Sequence, residues 1–336
     1  MRQPILITGA TGFIGLALAR RLRGEGYAVR ALVRPRPSSD LPLRELQAIG
    51  AEIVTGDLAD PQALRAALSG VALIFHAVGQ LQIAGLPNTL YEQTHVAGTR
   101  TLLETAAAHA PAARVVYLST TGVLGPTSST PRDEETALRP ETIYERTKAA
   151  GELLALELAR QHGLWLTVAR PALVYGPGDL HLLGWFRAIE RGLYRVIGQG
   201  NSLLHPIYID DLIDGLLRCA EAPASGRVYH LVGAAPVPIS ALARVIASAQ
   251  GRRLPWGHIP SGLAWLAGTL LEAIPGLPPE RLPLTRGRVA FMTASRAYSG
   301  QRAHDELGFV PKTSLEEGMR RAVTWYRTNN LLRPAP

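Results

Sequence analysis

Cysteine occurs once, as Cys219, which excludes an internal disulfide framework and the thiolate clusters of zinc sites, and no metal is expected. Lysine occurs only as Lys148 and Lys312, so 33 of the 35 basic residues are arginine. The two cations are least interchangeable where a compact ammonium sits beside a tuned acid or base, which singles out the lysines. The net charge of +8 is scattered without a basic run, and nucleic acid is not an expected partner. Long apolar runs are also missing. The most apolar stretch, Ile259 to Ile274, is interrupted by Pro260, Gly262, Gly268 and Glu272 and is too short and broken to span a bilayer. It reads as a core helix of a smaller lobe; the wall of an apolar pocket and a surface in peripheral contact with a membrane are the other readings. Apolar residues begin at Ile5, which leaves no room for a signal peptide and gives a cytoplasmic expectation.

What is present is ordinary for a globular chain: 47% hydrophobic and 18% charged residues over 336 positions, enough for one doubly wound domain with an appendage. The organising stretch is Thr8-Gly9-Ala10-Thr11-Gly12-Phe13-Ile14-Gly15, which follows the apolar run Ile5-Leu6-Ile7 and leads into Leu16-Ala17-Leu18-Ala19. Strand, glycine loop and helix in that order suit a dinucleotide. Gly9 permits a tight turn, Gly12 admits a pyrophosphate to the backbone, Gly15 allows close packing, and the helix N-terminus offers free amides.

Further strands are expected at Ala28–Val33, Glu52–Gly56, Val71–His76, Arg114–Leu118 and Trp165–Arg170, with helices between them. Repeated strand-then-helix order predicts a parallel sheet covered on both faces, with ligands beyond the carboxyl ends of its strands. Arg34, with Arg36 beside it, follows the second strand, where an acid would bind a ribose hydroxyl and an arginine a 2′-phosphate; NADP is therefore favoured, with NAD left open. His76 reads as a satisfied structural histidine. A helix is expected from about Thr89 to His109 and carries His95. Ser119-Thr120-Thr121 ends the fifth strand, and Pro140-Glu141 opens a helix on which Tyr144 and Lys148, four apart, share a face. After Tyr175 the rhythm breaks into short strands near Val196, Ile207 and Val228. The expected division is a dinucleotide-binding domain over 1–175, re-entered near 205–235, and a mainly substrate-binding lobe over 176–336. Ser314 and Glu317 form a capping box for the last helix.

The glycine motif, the Ser119-Thr120-Thr121 strand end, Tyr144-x-x-x-Lys148, and Arg170-Pro171 through Tyr175-Gly176-Pro177-Gly178 stand in one order, and with them the chain resembles the extended short-chain dehydrogenase/reductase family. The resemblance implies a doubly wound parallel Rossmann sheet with a smaller C-terminal α/β lobe. It implies that Tyr144 is the general acid/base while a nicotinamide exchanges hydride, with Thr120 hydrogen-bonded to the reacting oxygen. A phenol normally titrates near 10, and a neighbouring cation favours the phenolate; Lys148 would supply that charge and hold the nicotinamide ribose. The cofactor positions it implies are Gly9, Thr11, Gly12, Phe13, Ile14, Gly15, Arg34, Asp57, Leu58, Ala77, Val78, Gly79, Tyr144, Lys148, Pro171, Leu173 and Val174. Around the substrate it implies Gln80, His95, Thr121, His181, Leu204 and Tyr208. A homodimer paired through a helix bundle is a further implication.

Two departures bear on chemistry. His95 stands where the family often has Asn. Leu204 follows Gly198-Gln199-Gly200 where the family's nucleotide-sugar epimerases have an arginine for the substrate diphosphate, with His205 the one neighbour able to replace it. The C-terminal half instead looks like the 3β-hydroxysteroid and sterol-4-carboxylate dehydrogenase branch and its dihydroflavonol-reductase-like relatives, through Gly198–Asn201, the segment near Trp265, Arg288-Val289-Ala290 and Tyr298-Ser299. The expected activity is NAD(P)-dependent interconversion of a secondary alcohol and a ketone on an apolar, steroid- or terpenoid-like small molecule. The alternatives are a sugar epimerase or dehydratase, and a non-catalytic cofactor-binding scaffold or redox sensor.

Overall fold

A computed structural model describes residues 3–83, 85–128, 130–274, 282 and 284–334. Its centre is a seven-stranded sheet formed by β1 (Ile5–Thr8), β2 (Val29–Val33), β3 (Glu52–Thr55), β4 (Leu73–His76), β5 (Arg114–Leu118), β6 (Trp165–Pro171) and β11 (Val228–Leu231). The order is β11-β6-β5-β4-β1-β2-β3 and every pairing is parallel, as the expected doubly wound sheet requires. Strand alternation divides the core. Ile5 and Ile7 face the side of α1 (Phe13–Gly24), whereas Leu6 between them packs with Leu64 of α3 (Pro61–Leu68) and Leu102 of α5 (Gly98–His109). Helix α2 (Leu41–Ala48) lies between β2 and β3, and Asp60 caps α3 as its Asp-Pro start demands.

The expected helix over 89–109 is three pieces: α4 (Asn88–Glu92), a π turn over Gln93–Ala97, and α5. The helix of Tyr144 and Lys148, α6 (Ile143–His162), starts three residues after Pro140, its expected opening. Thr142 and Glu145 close a reciprocal capping box there, and Gly163 ends the helix in the left-handed region. Beyond β6, β7 (Leu173–Tyr175) pairs with β10 (Pro206–Tyr208), while β8 (Val196–Ile197) pairs with β13 (His258–Ile259) and β9 (Leu203–Leu204) with β12 (Val237–Pro238). Helices α7 (Leu183–Glu190), α8 (Ile209–Ala220), α9 (Ile239–Ala249), α12 (Gln301–Leu307) and α13 (Leu315–Thr328) complete this half. One apolar cluster runs from β1 through α8 to Phe186, Leu242 and Tyr326.

Helix α10 (Ser261–Glu272) corrects the core-helix expectation. Ala264 and Gly268 are buried against α11 (Arg286–Thr293) and its approach, and Leu263, Trp265, Leu266 and Leu270 are exposed. The helix is apolar all round, so the small residues decide which side packs: a Cβ on Gly268 would stand 3.1 Å from the Arg286 nitrogen. At α13, Ser314 accepts the Glu317 amide, but the Glu317 carboxylate pairs with Arg320 and Arg321 instead of completing the expected box.

Candidate active site

The β1–α1 turn has room for nothing larger than glycine at two points. Gly9 adopts φ +78°, and a Cβ there would lie 2.7 Å from the Ala77 carbonyl oxygen at the end of β4; one on Gly15 would lie 2.3 Å from the Gly9 carbonyl oxygen. Gly12 begins α1 in extended conformation with no side-chain cap on the helix amides. Phe13 lies against Gly178, and Ala77, Val78 and Gly79 follow β4 beside the turn. At the end of β2, Arg34 is exposed and has no hydrogen-bond or ion-pair partner among the described residues, whereas Arg36 pairs with Asp40 at 2.7 Å. With Asp57 these residues line an open depression of about 550 Å³. Leu58 is buried against α5 at Gly98. A glycine cradle, uncapped helix amides and a free guanidinium at a strand end fit a dinucleotide with its phosphates. When bound, its nicotinamide supplies or accepts hydride.

Tyr144 stands near the N-terminus of α6, half-buried, with its ring edge-on to His95 at 5.7 Å. Its phenol is pushed up to about 12, mainly by burial; the Thr120 hydroxyl within hydrogen-bonding reach opposes this, and the Glu145 charge adds to it. Lys148 is not among the groups that shift the phenol. In the free protein the Lys148 ammonium is buried, donates to the Leu118 carbonyl at the end of β5, and lies 4.9 Å over the Tyr117 ring. Burial lowers its pKa to about 8, against the pull of Glu152. Glu152, one turn further along α6, forms a fully buried pair with Arg170 of β6, Nε to either carboxylate oxygen at 3.1 Å. The resulting phenol is a proton donor poised beside a hydroxyl.

His95 projects from the π turn into this site, and its tautomer follows from its partners. Nε2 accepts the Gln80 amide at 2.9 Å, so Nδ1 carries the proton and donates to Thr147 Oγ1 at 2.8 Å. The Thr147 hydroxyl donates in turn to the Ile143 carbonyl. Burial, reinforced by the Lys148 charge, lowers His95 to about 3, so the ring is neutral. His76 is likewise satisfied, between the Thr8 and Thr99 hydroxyls at 2.7 and 3.1 Å.

Gln80 and His95 are thus grouped with Tyr144, but three other expected substrate positions are turned into the core. The Thr121 hydroxyl is buried on the Pro171 carbonyl, and Leu204 is sealed in the core by its pairing with Val237. Tyr208 lies buried edge-on to Tyr175 beneath Arg321, and His181 is exposed before α7. His205 does not replace the missing arginine either: Nε2 donates to the Gly233 carbonyl at 2.9 Å and Nδ1 accepts from the Tyr298 amide. Pro171 is buried, and Leu173 and Val174 are half-buried along β7. Sequence reading missed Glu152, although a carboxylate four residues after Lys148 shares its helix face, and missed Arg296, which approaches Glu145 of α6 from far along the chain and left no local signal.

A glycine-cradled strand-to-helix turn, with a threonine beyond the end of β5 and a tyrosine and lysine on α6, defines a dinucleotide-dependent oxidoreductase built on a Rossmann sheet. The chain belongs to the NAD dependent epimerase/dehydratase family, whose model matches residues 5–233, and is an NAD(P)-dependent enzyme of the extended short-chain dehydrogenase/reductase type. It is 33% identical over 336 aligned positions to a 2-alkyl-3-oxoalkanoate reductase of Stenotrophomonas maltophilia (strain K279a), covering 95% of this chain and 98% of that protein. It is 30% identical over 319 positions to the 4-hydroxy-2-methyl-3-oxo-4-farnesyl-3,4-dihydroquinoline-1-oxide ketoreductase of Stigmatella aurantiaca, covering 93% of each. Its fold matches the dTDP-glucose 4,6-dehydratase DesIV of Streptomyces venezuelae, with TM-score 0.78 and 24% identity over 99% of this chain and 100% of that one. No helix among the described residues is long and apolar enough to cross a membrane.

Proposed function

We propose that the protein is an NADP-preferring ketoreductase that reduces the 3-oxo group of an apolar oxo acid to a secondary alcohol. The observation that carries this reading is the protonated Tyr144 phenol beside the Thr120 hydroxyl. A carbonyl oxygen held between them gains negative charge as hydride reaches its carbon, and the phenol then gives it a proton. Buried Lys148 supplies positive charge behind this pair, and neutral, doubly bonded His95 holds its flank.

The substrate class draws support from the oxoalkanoate reductase and the farnesyl-bearing ketoreductase among the relatives, which share a ketone on an apolar body. Such a body also suits the steroid- or terpenoid-like expectation in its coarser, apolar form. Arg34, free beside the turn, is the residue assigned to the 2′-phosphate. The exposed apolar side of α10 is assigned to peripheral contact with a membrane, and the exposed Leu153 of α6 to pairing of two copies.

The test is consumption of NADPH and NADH with 3-oxododecanoate and, in parallel, turnover of UDP-sugars by the same preparation. Reduction of the oxo acid, faster with NADPH, is the expected result. Turnover of UDP-sugars with tightly retained cofactor and no reduction of the oxo acid would replace this reading with a sugar epimerase or dehydratase.

A further inference from the structure

The segment carrying Arg296 is pinned from both lobes. Arg296 donates its amide to the Leu203 carbonyl at 2.6 Å, the Thr127 amide bonds the Ser295 carbonyl at 2.7 Å, and the Ser299 amide bonds the Arg132 carbonyl at 2.8 Å. A backbone so fixed delivers its side chain to one place. The guanidinium lies 5.1 Å over the Phe291 ring, with Nη2 3.5 Å from Glu145 Oε1. Nη1 is buried and has no hydrogen-bond partner among the described residues.

Glu145 does not neutralise this cation fully. Its Oε2 is occupied by the amides of Glu141 and Thr142 at the start of α6, and the Oε1 contact with Nη2 is longer than a hydrogen bond. The position of that carboxylate also locates the arginine. A Cβ on Gly122 would stand 3.3 Å from Glu145 Oε1 and 3.4 Å from Thr120 Oγ1, so Arg296 is separated by one carboxylate from the hydroxyl that partners Tyr144. A guanidinium cannot shed its charge, and a buried donor without an acceptor is unfavourable, so an acceptor at Nη1, best an anionic one, would complete the arrangement. The planar fork matches a carboxylate with two parallel hydrogen bonds, whereas a neutral ketone offers it nothing equivalent.

We propose that Arg296 is the specificity-determining residue of this site and binds the carboxylate of the oxo-acid substrate, fixing which carbonyl lies against Tyr144. The proposal rests on the ketoreductase reading of an oxo acid and names the residue that holds the acid group. Arg296 takes no proton and acts on binding. Hydride and proton move between the carbinol carbon and oxygen, the nicotinamide and Tyr144, in either direction.

The experiment compares oxidation of 3-hydroxydodecanoate and its methyl ester with NADP⁺ by the wild type, Arg296→Gln and Arg296→Lys. In wild type the acid is preferred to the ester. In Arg296→Gln the acid-to-ester ratio of kcat/KM falls at least 30-fold, through KM of the acid with kcat little changed, while Arg296→Lys recovers part of the preference. Equal loss on acid and ester, or an unchanged KM for the acid, overturns the assignment. If Arg296→Gln does not fold, the wild type and Arg296→Lys decide it: a wild type indifferent to the ester overturns it. Should the wild type oxidise neither compound, the ketoreductase reading falls, and calorimetry with dodecanoate decides Arg296 separately. Binding lost in the variants sustains the carboxylate site, and absence of binding to wild type ends it.

Discussion

The roles proposed for Tyr144 and Arg34 concern different parts of the reaction, and their substitutions separate chemistry from cofactor choice. Removing the phenolic oxygen in Tyr144→Phe takes away the proton donor, and a general acid is worth about 10² to 10⁴ in rate. The expected outcome is a kcat lower by about 10²-fold or more in single-turnover measurements, with NADPH affinity, followed by fluorescence, within about twofold of wild type. A variant keeping most of its turnover would remove Tyr144 from its role. Arg34→Asp places an acid where the free guanidinium now stands. The ratio of kcat/KM for NADPH over NADH should fall about tenfold or more, equivalent to about 1.4 kcal/mol, and an unchanged ratio would show the 2′-phosphate bound elsewhere. At this scale the sequence was legible where local geometry rules. Two side chains four apart on a helix must share a face, and a glycine needing φ +78° declares itself in a strand–turn–helix frame. It was opaque where partners come from remote segments: the Leu118 carbonyl draws the Lys148 ammonium, and Arg296 reaches Glu145.

Helix α6 owes its placement to contacts as much as to its own sequence. Gly151, one turn beyond Lys148, faces the π turn so closely that a Cβ would come within 2.3 Å of the His95 carbonyl oxygen and 2.6 Å of the Tyr117 hydroxyl. Alanine there would gain about 1 kcal/mol of helix propensity, but forcing a methyl against a backbone carbonyl costs about 1–3 kcal/mol, so the clash wins. Gly151→Ala should lower stability to urea by up to about 2 kcal/mol and reduce turnover by displacing Lys148; equilibrium unfolding together with the rate of reduction checks both. The strands and most helices could be read from periodicity. The π turn could not, because one extra residue in a helix leaves the apolar pattern nearly intact, and neither could the packed side of α10, whose apolar residues occupy every direction. The short strands after β6 are fixed by pairing, which is why Leu204 and Tyr208 ended in the core.

The molecule as a whole buries His76, His95 and His230 in neutral form, each lowered to about 3 chiefly by desolvation. In the unfolded chain these rings titrate near 6.5, so between that pH and about 3 the unfolded state binds protons that the folded state refuses. Stability therefore falls as the pH drops below 6.5, by about 2–3 kcal/mol per ring at two pH units below it. Melting followed by circular dichroism should show the midpoint falling steadily from pH 7 to 4.5. A flat profile would mean that the rings are protonated without unfolding.

The scarcity of lysine has a practical outcome at the same scale. Lys148 is enclosed, whereas Lys312 is 74% exposed and lies by Asp214, which pairs with Arg21 towards the end of α1 remote from the glycine turn. Among lysines, amine-directed coupling therefore meets one open target, and a dye or sensor chip joined through that side chain would sit away from the cofactor cradle, leaving it accessible.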